Sequence, residues 1–264
     1  MKLGFIGTGN MASAIMGGIL KNQIIPAEEI IGADLSAQGR EKVKAQYGIH
    51  VTDSNREVAE KADVIIVSVK PQFYADVIHE IREDIRKDQI VITIAPGKTL
   101  AWLEEQFDKA VKLVRTMPNT PALVGEGMTA ACPNEHMTEK ETTYVRTLLE
   151  SFSRVEIVPE RLMDVVVAVS GSSPAYVFML TEAMADAAVS GGMPRKQAYR
   201  FAAQAVLGSA KMVLETGRHP GELKDIVCSP AGTTIEAVRV LEERGFRSSI
   251  FEAMKVCEEV SKGM

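Results

Sequence analysis

The loop Gly7-Thr8-Gly9-Asn10-Met11-Ala12 is the first place where residue types and their spacing could do chemistry. It follows the apolar run Lys2 to Ile6 and opens an amphipathic stretch from Met11 to Leu20, the G-x-G-x-x-G/A arrangement of a dinucleotide-binding turn. The first glycine makes the turn, the second lets backbone approach a pyrophosphate, and the small Ala12 lets helix and strand pack. A helix beginning there offers free N–H groups and a partial positive charge to phosphate oxygens. Asp34 ends the next strand candidate, where a carboxylate holds adenosine ribose hydroxyls and favours NADH. Ser36 and Arg40 follow closely, and either could contact the 2′-phosphate of NADPH, which the carboxylate would repel. The two signals conflict, so the residues leave NADPH and NADH both open.

Two further loops leave the C-terminal ends of strand candidates: Val69-Lys70-Pro71-Gln72 and Ala95-Pro96-Gly97. In a doubly wound sheet such positions face the cofactor crevice. Lys70 could reach the nicotinamide ribose or position a substrate, where a plain loop lysine would instead stand in solvent. Near the other end, Ser229-Pro230-Ala231-Gly232-Thr233-Thr234 precedes a helical pattern. Thr233 with Glu236 reads as a capping box, and backbone N–H groups at a helix start suit a carboxylate. A plain capped helix would need the same residues.

The elements that must position these loops alternate. Strand candidates are Lys2 to Ile6, Glu29 to Ala33, Val64 to Val69, Gln89 to Ile94 and Ala110 to Arg115, with two more at 128–132 and 154–158 on the sheet edge. Helix-period segments at 37–47, 56–62, 73–86 and 138–151 separate most of them. This is an α/β pattern with a mainly parallel, doubly wound sheet. After about Val158 strand signals fade, and Ala- and Met-rich helices are expected from Pro174 to Gly191, Pro194 to Glu215, Thr233 to Gly245 and over 248–262. Their alanine-rich faces allow close backbone approach, and their apolar surface exceeds what the helices hide among themselves. The expectation is two domains, 1–158 for the dinucleotide and 159–264 for dimerisation and substrate binding.

Composition bounds the partners. The chain has 264 residues, a formal net charge of -5 and no basic block, so nucleic acid has no electrostatic support. The first apolar run ends at the glycine loop, too short for a signal peptide, and no stretch reads as a membrane span, so a soluble cytoplasmic protein is expected. Cys132, Cys228 and Cys257 lack C-x-x-C spacing, and His50, His79, His136 and His219 are scattered, so no metal site is expected.

With these residues in view, the whole chain resembles the pyrroline-5-carboxylate reductase family. The match is carried by Gly7 to Ala12, Val67 to Gln72, Arg115 to Pro121, Ser170 to Phe178 and His219 to Glu242. The resemblance implies an N-terminal Rossmann domain, an all-α C-terminal dimerisation domain, a homodimer or a higher oligomer of dimers, and an active site at the junction of the domains. It implies reduction of 1-pyrroline-5-carboxylate to proline, the last step of proline synthesis, with NADPH often preferred over NADH. Carried over by position, Asn55 contacts the adenosine ribose, while Lys70, Pro118 and Asn119 line the nicotinamide side. Ser229, Gly232, Thr233 and Thr234 hold the substrate, with Thr234 orienting the ring nitrogen. Three positions depart from the family pattern: Ser173 and Ala231 stand for glycines and Pro96 for an alanine. A β-hydroxyacid dehydrogenase is the enzymatic rival, but that chemistry wants a lysine after Ser170-Gly171-Ser172-Ser173, and none comes before Lys196. A catalytically idle dinucleotide-binding regulator is the other alternative, and it would not need Ser229 to Thr234.

Overall fold

The computed structural model describes residues 2–263; Met1 and Met264, the outer ends of the two expected domains, lie outside the described residues. By its internal contacts the chain forms two compact units. One runs to Ser172 and takes in the residues from Cys257 onward; the other is Ser173–Val256.

The first unit is built on one sheet of eight strands: β1 (Leu3–Ile6), β2 (Ile30–Ala33), β3 (His50–Thr52), β4 (Val64–Val67), β5 (Ile90–Thr93), β6 (Lys112–Met117), β7 (Gly127–Pro133) and β8 (Ser153–Ile157). Their order is β3-β2-β1-β4-β5-β6-β7-β8. All neighbours are parallel except β6 and β7, which run antiparallel. The central strands are apolar on both faces because helices cover both. On one face Leu3 and Phe5 pack with Ile15, Met16 and Ile19 of α1 (Asn10–Lys21) and with Leu148 and Leu149 of α6 (Glu139–Glu150). On the other, Ile6, Ile65 and Val67 pack with α3 (Asn55–Lys61), α4 (Tyr74–Ile81) and α5 (Leu100–Phe107). Helix α2 (Ala37–Tyr47) lies between β2 and β3 in the chain. Chain order reverses between β1 and β4, and the crevice outside the C-terminal strand ends there is where such sheets take ligands.

Three features differ from the sequence expectation. Strand β3 and helix α5 were hidden, the former by having no buried residue, the latter by lying between two strand signals. The third concerns membrane-like segments. Residues Glu160–Ser190 form one helical run of 31 residues with a window of mean hydropathy 1.4, long and apolar enough to cross a membrane by length and composition. The sequence places a helix only from Pro174 onward and reads no membrane-length stretch. The structure carries the run through α7 (Met163–Val166) and a π-helical turn at Val167–Gly171.

The second unit is helical, with α8 (Ser173–Ser190), α9 (Arg195–Thr216), α10 (Pro220–Val227), α11 (Thr233–Glu243) and most of α12 (Phe246–Lys262). Helices α8 and α9 meet through Ala185, Ala198 and Ala202, the buried cluster of this unit. Around it Phe178 (66%), Met179 (69%), Phe201 (61%), Leu214 (61%) and Phe251 (62%) stand exposed.

Candidate active site

A 490 Å³ crevice opens at the β1/β4 switch point. Its lining includes Gly7, Gly9, Asp34, Asn55, Val69 and Lys70, all expected from the sequence, together with Leu35, Phe73, Asp76 and Glu80, which were not. Gly7 has φ +90, and a Cβ there would lie 2.9 Å from the Ser68 carbonyl oxygen, so the turn requires glycine. A Cβ on Gly9 would meet nothing within 4 Å, which leaves the approach to the backbone open. Gly9 is the N-cap of α1 and caps it with no side chain. The N–H groups of Asn10, Met11 and Ala12, the first residues of α1, therefore have no side-chain cap. An uncapped helix start behind an open glycine fits a dinucleotide pyrophosphate.

The end of the crevice beyond β2 is organised by Asp34. Its Oδ2 accepts from the Thr8 N–H (2.9 Å) and the Thr8 hydroxyl (2.8 Å), and its Oδ1 accepts from the Ser36 N–H (2.9 Å). Burial pushes the Asp34 carboxyl up, but the hydrogen bonds from Thr8 and Ser36 and the charge of Arg40 outweigh it and hold the group below its ordinary value. Ser36 caps α2 by accepting from the Gly39 N–H. Arg40 Nη1 donates to the carbonyls of Asp34 (2.7 Å) and Leu35 (3.2 Å), which fixes the guanidinium beside the turn. Asn55 opens α3, and its Nδ2 donates to Glu80 of α4 at 2.8 Å.

The C-terminal ends of β4 and β5 are tied by Tyr74, whose phenol donates to the Val67 carbonyl and accepts from the Ile94 N–H at 3.2 Å. Its complete burial pushes the phenol well above its usual range. Lys70 is exposed, and Pro71 begins the short 3-10 turn that follows it. Of the residues expected on the nicotinamide side, Lys70 lines the crevice, whereas Pro118 and Asn119 are not among its lining residues. Pro96, between Ala95 and Gly97, and Met117, just before Pro118 and Asn119, line an apolar 360 Å³ cavity with Gly171 and Cys257. Asn119 is buried and spoken for: its Nδ2 donates to the Ser170 carbonyl (3.1 Å) and its Oδ1 accepts from the Met128 N–H (2.9 Å). It clamps the π-helical turn to β7.

In the helical unit, Ser229, Gly232, Thr233 and Thr234 form one turn into α11, closed by the Gly232 N–H donating to the Ser229 carbonyl at 3.0 Å. The expected capping box is absent. The N-cap is Gly232, one residue earlier, so Thr233 is already helical and Glu236 pairs with Arg239 instead. The correction favours ligand binding, because no side chain satisfies the first N–H groups of α11. Ala231 holds φ +56, the left-handed conformation that explains why a glycine suits this position.

Thr8 and Glu80 are the polar partners of Asp34 and Asn55 that sequence reasoning missed. Thr8 occupies the variable position of G-x-G, and nothing in the sequence pairs it with a residue 26 positions away. Among the described residues no group of three or more His, Cys, Asp or Glu could hold a metal ion.

A doubly wound sheet with this glycine turn, followed by a helical unit, defines a two-part dinucleotide-dependent oxidoreductase. Residues 160–264 match the family model for pyrroline-5-carboxylate reductase dimerisation, and residues 2–97 match that for NADP oxidoreductase, coenzyme F420-dependent. Pyrroline-5-carboxylate reductase of Escherichia coli K12 is 52% identical, with 99% of this chain and 97% of that protein covered. A solved pyrroline-5-carboxylate reductase from Coxiella burnetii superposes with a TM-score of 0.92 at 34% identity, covering 99% of this chain and 97% of that one. The Plasmodium falciparum pyrroline carboxylate reductase, solved with NADP bound, gives 0.91 at 32% identity over 100% of this chain and 97% of its own. The chain belongs to the pyrroline-5-carboxylate reductase family.

Proposed function

We propose that this protein reduces 1-pyrroline-5-carboxylate to L-proline at the expense of NADPH, the last step of proline synthesis, as a homodimer in the cytoplasm. The observation that carries the reading is a pair of helix starts, α1 behind Gly9 and α11 behind Gly232, neither capped by a side chain. The reaction needs two anions held, a pyrophosphate and a carboxylate, and each helix start offers amide donors for one. The bound dinucleotide supplies a hydride, and the protein supplies orientation and electrostatics.

In this reading Gly7, Gly9, Asn10, Met11 and Ala12 take the pyrophosphate, and Ser36, Arg40 and Asn55 surround the adenosine ribose and its 2′-phosphate. Val69, Lys70, Pro71, Ala95, Gly97, Pro118 and Asn119 shape the nicotinamide side, Asn119 through its clamp on Ser170 and Met128. Ser229, Gly232 and Thr233 hold the substrate carboxylate. Thr234, half-buried at the α11 start, hydrogen-bonds the ring nitrogen and sets the imine carbon for hydride transfer. A protonated imine is already electrophilic, so a hydroxyl that orients it suffices without a strong general acid. Residues 159–264 carry dimerisation and substrate binding, and dimers can associate further.

Thr234→Ala tests the assignment. Loss of one orienting hydrogen bond is expected to lower kcat/KM about 10–100-fold without abolishing turnover, with NADPH affinity unchanged. Full catalytic efficiency in that variant would remove Thr234 from the site.

A further inference from the structure

Asp34 stands where an acidic residue grips both ribose hydroxyls and selects against a 2′-phosphate. In this chain the grip is already taken. A carboxylate offers about four acceptor positions. Thr8 fills both on Oδ2, through its N–H and its hydroxyl, and the Ser36 N–H takes one on Oδ1. A two-pronged hold on ribose needs both oxygens, and only one retains a free position. Thr8 is buried, so it does not yield this bond to solvent. Its side chain is also confined from behind, since a Cβ on Gly32 would lie 3.0 Å from the Thr8 Cγ2. The same turn fixes Arg40 through the Asp34 and Leu35 carbonyls and brings its Nη2 to 4.0 Å from Asp53. The carboxylate is thereby occupied by three donors while a guanidinium is held beside it.

The geometry points to Thr8 as a specificity-determining residue. By occupying Asp34 it makes the carboxylate a brace between the glycine turn and α2, so that a 2′-phosphorylated dinucleotide is accepted at a position that would otherwise favour the unphosphorylated one. This inference rests on the dinucleotide reading of the crevice and adds the cause of its preference.

The test measures binding. Calorimetric titration of NADP⁺ and NAD⁺ into wild type, Thr8→Val and Thr8→Ser gives the ratio of the two dissociation constants for each. Valine keeps the branched shape and removes the hydroxyl, freeing one acceptor position on Oδ2; serine keeps the hydroxyl. The expected result is a shift of the ratio toward NAD⁺ by about tenfold in Thr8→Val, the lower end of the scale of one hydrogen bond to a charged group, with Thr8→Ser staying near wild type. If Thr8→Val folds poorly, Thr8→Ala serves the same comparison. A ratio unmoved in Thr8→Val, or a parallel loss of both nucleotides, overturns the inference and leaves the dinucleotide site standing. Wild-type protein that binds neither nucleotide overturns the reading of the crevice itself.

Discussion

The two units of this chain treat their apolar residues in opposite ways. The sheet unit buries them: Leu3, Phe5, Ile6, Ile15, Met16 and Ile65 are all at 1% exposure or less, in close-packed layers on both sheet faces. The helical unit buries little beyond Ala185, Ala198 and Ala202, and leaves Phe178, Met179, Phe201 and Phe251 more than 60% exposed. Large exposed apolar side chains on a dimerisation domain are what a second copy would cover. Stability of the helical unit is therefore inseparable from protomer concentration.

The largest effect is expected at the interface. Phe178→Glu places a charge on the exposed face of α8, and a buried interface aromatic is worth about 2 kcal/mol or more. Dimer affinity is expected to fall by at least about 30-fold on sedimentation equilibrium. Melting should become strongly concentration-dependent; a variant that stays dimeric at low concentration would remove this face from the interface. Phe5→Ala tests the other unit. It empties a fully buried position between α1 and α6, at an expected cost of about 3–5 kcal/mol in denaturant unfolding with dimer affinity unchanged. A large loss of dimer affinity instead would show that the units are not separable in this sense. The smallest effect is expected at the turn into α11. Ala231→Gly relieves the left-handed backbone at φ +56, with a net gain of about 0.5–1 kcal/mol after the extra flexibility of glycine in the unfolded chain. A loss of stability would mean that the Ala231 methyl makes a contact worth more than the strain.

Legibility in the sequence followed the same division. Strands such as Val64–Val67 were readable because burial on both faces demands an unbroken β-branched run. The glycine turn was readable because its chemistry is local. Strand β3 was not, because an edge strand with His50 exposed carries no such run. The π-helical turn at Val167–Gly171 was hidden because a valine-rich stretch looks alike in helix and strand. The α11 cap shifted by one residue because Gly232 could take the N-cap that Thr233 was expected to occupy. Long-range polar pairing was the least legible. Asp34 with Thr8, Asn55 with Glu80, and buried Arg115 with Glu160 at 2.9 Å join residues 25 to 45 positions apart with no pattern between them. The residues of the crevice could be named in advance, but what each carboxylate already holds could not.

The reductase activity is measured by following NADPH at 340 nm with 1-pyrroline-5-carboxylate and, in parallel, with its six-membered homologue, and by quantifying proline. Saturable oxidation with the five-membered imine, one proline formed per NADPH consumed and slower turnover of the larger ring, is the expected result. Measurable NADPH binding with no oxidation by either imine would contradict the account, leaving the fold intact and the function wrong.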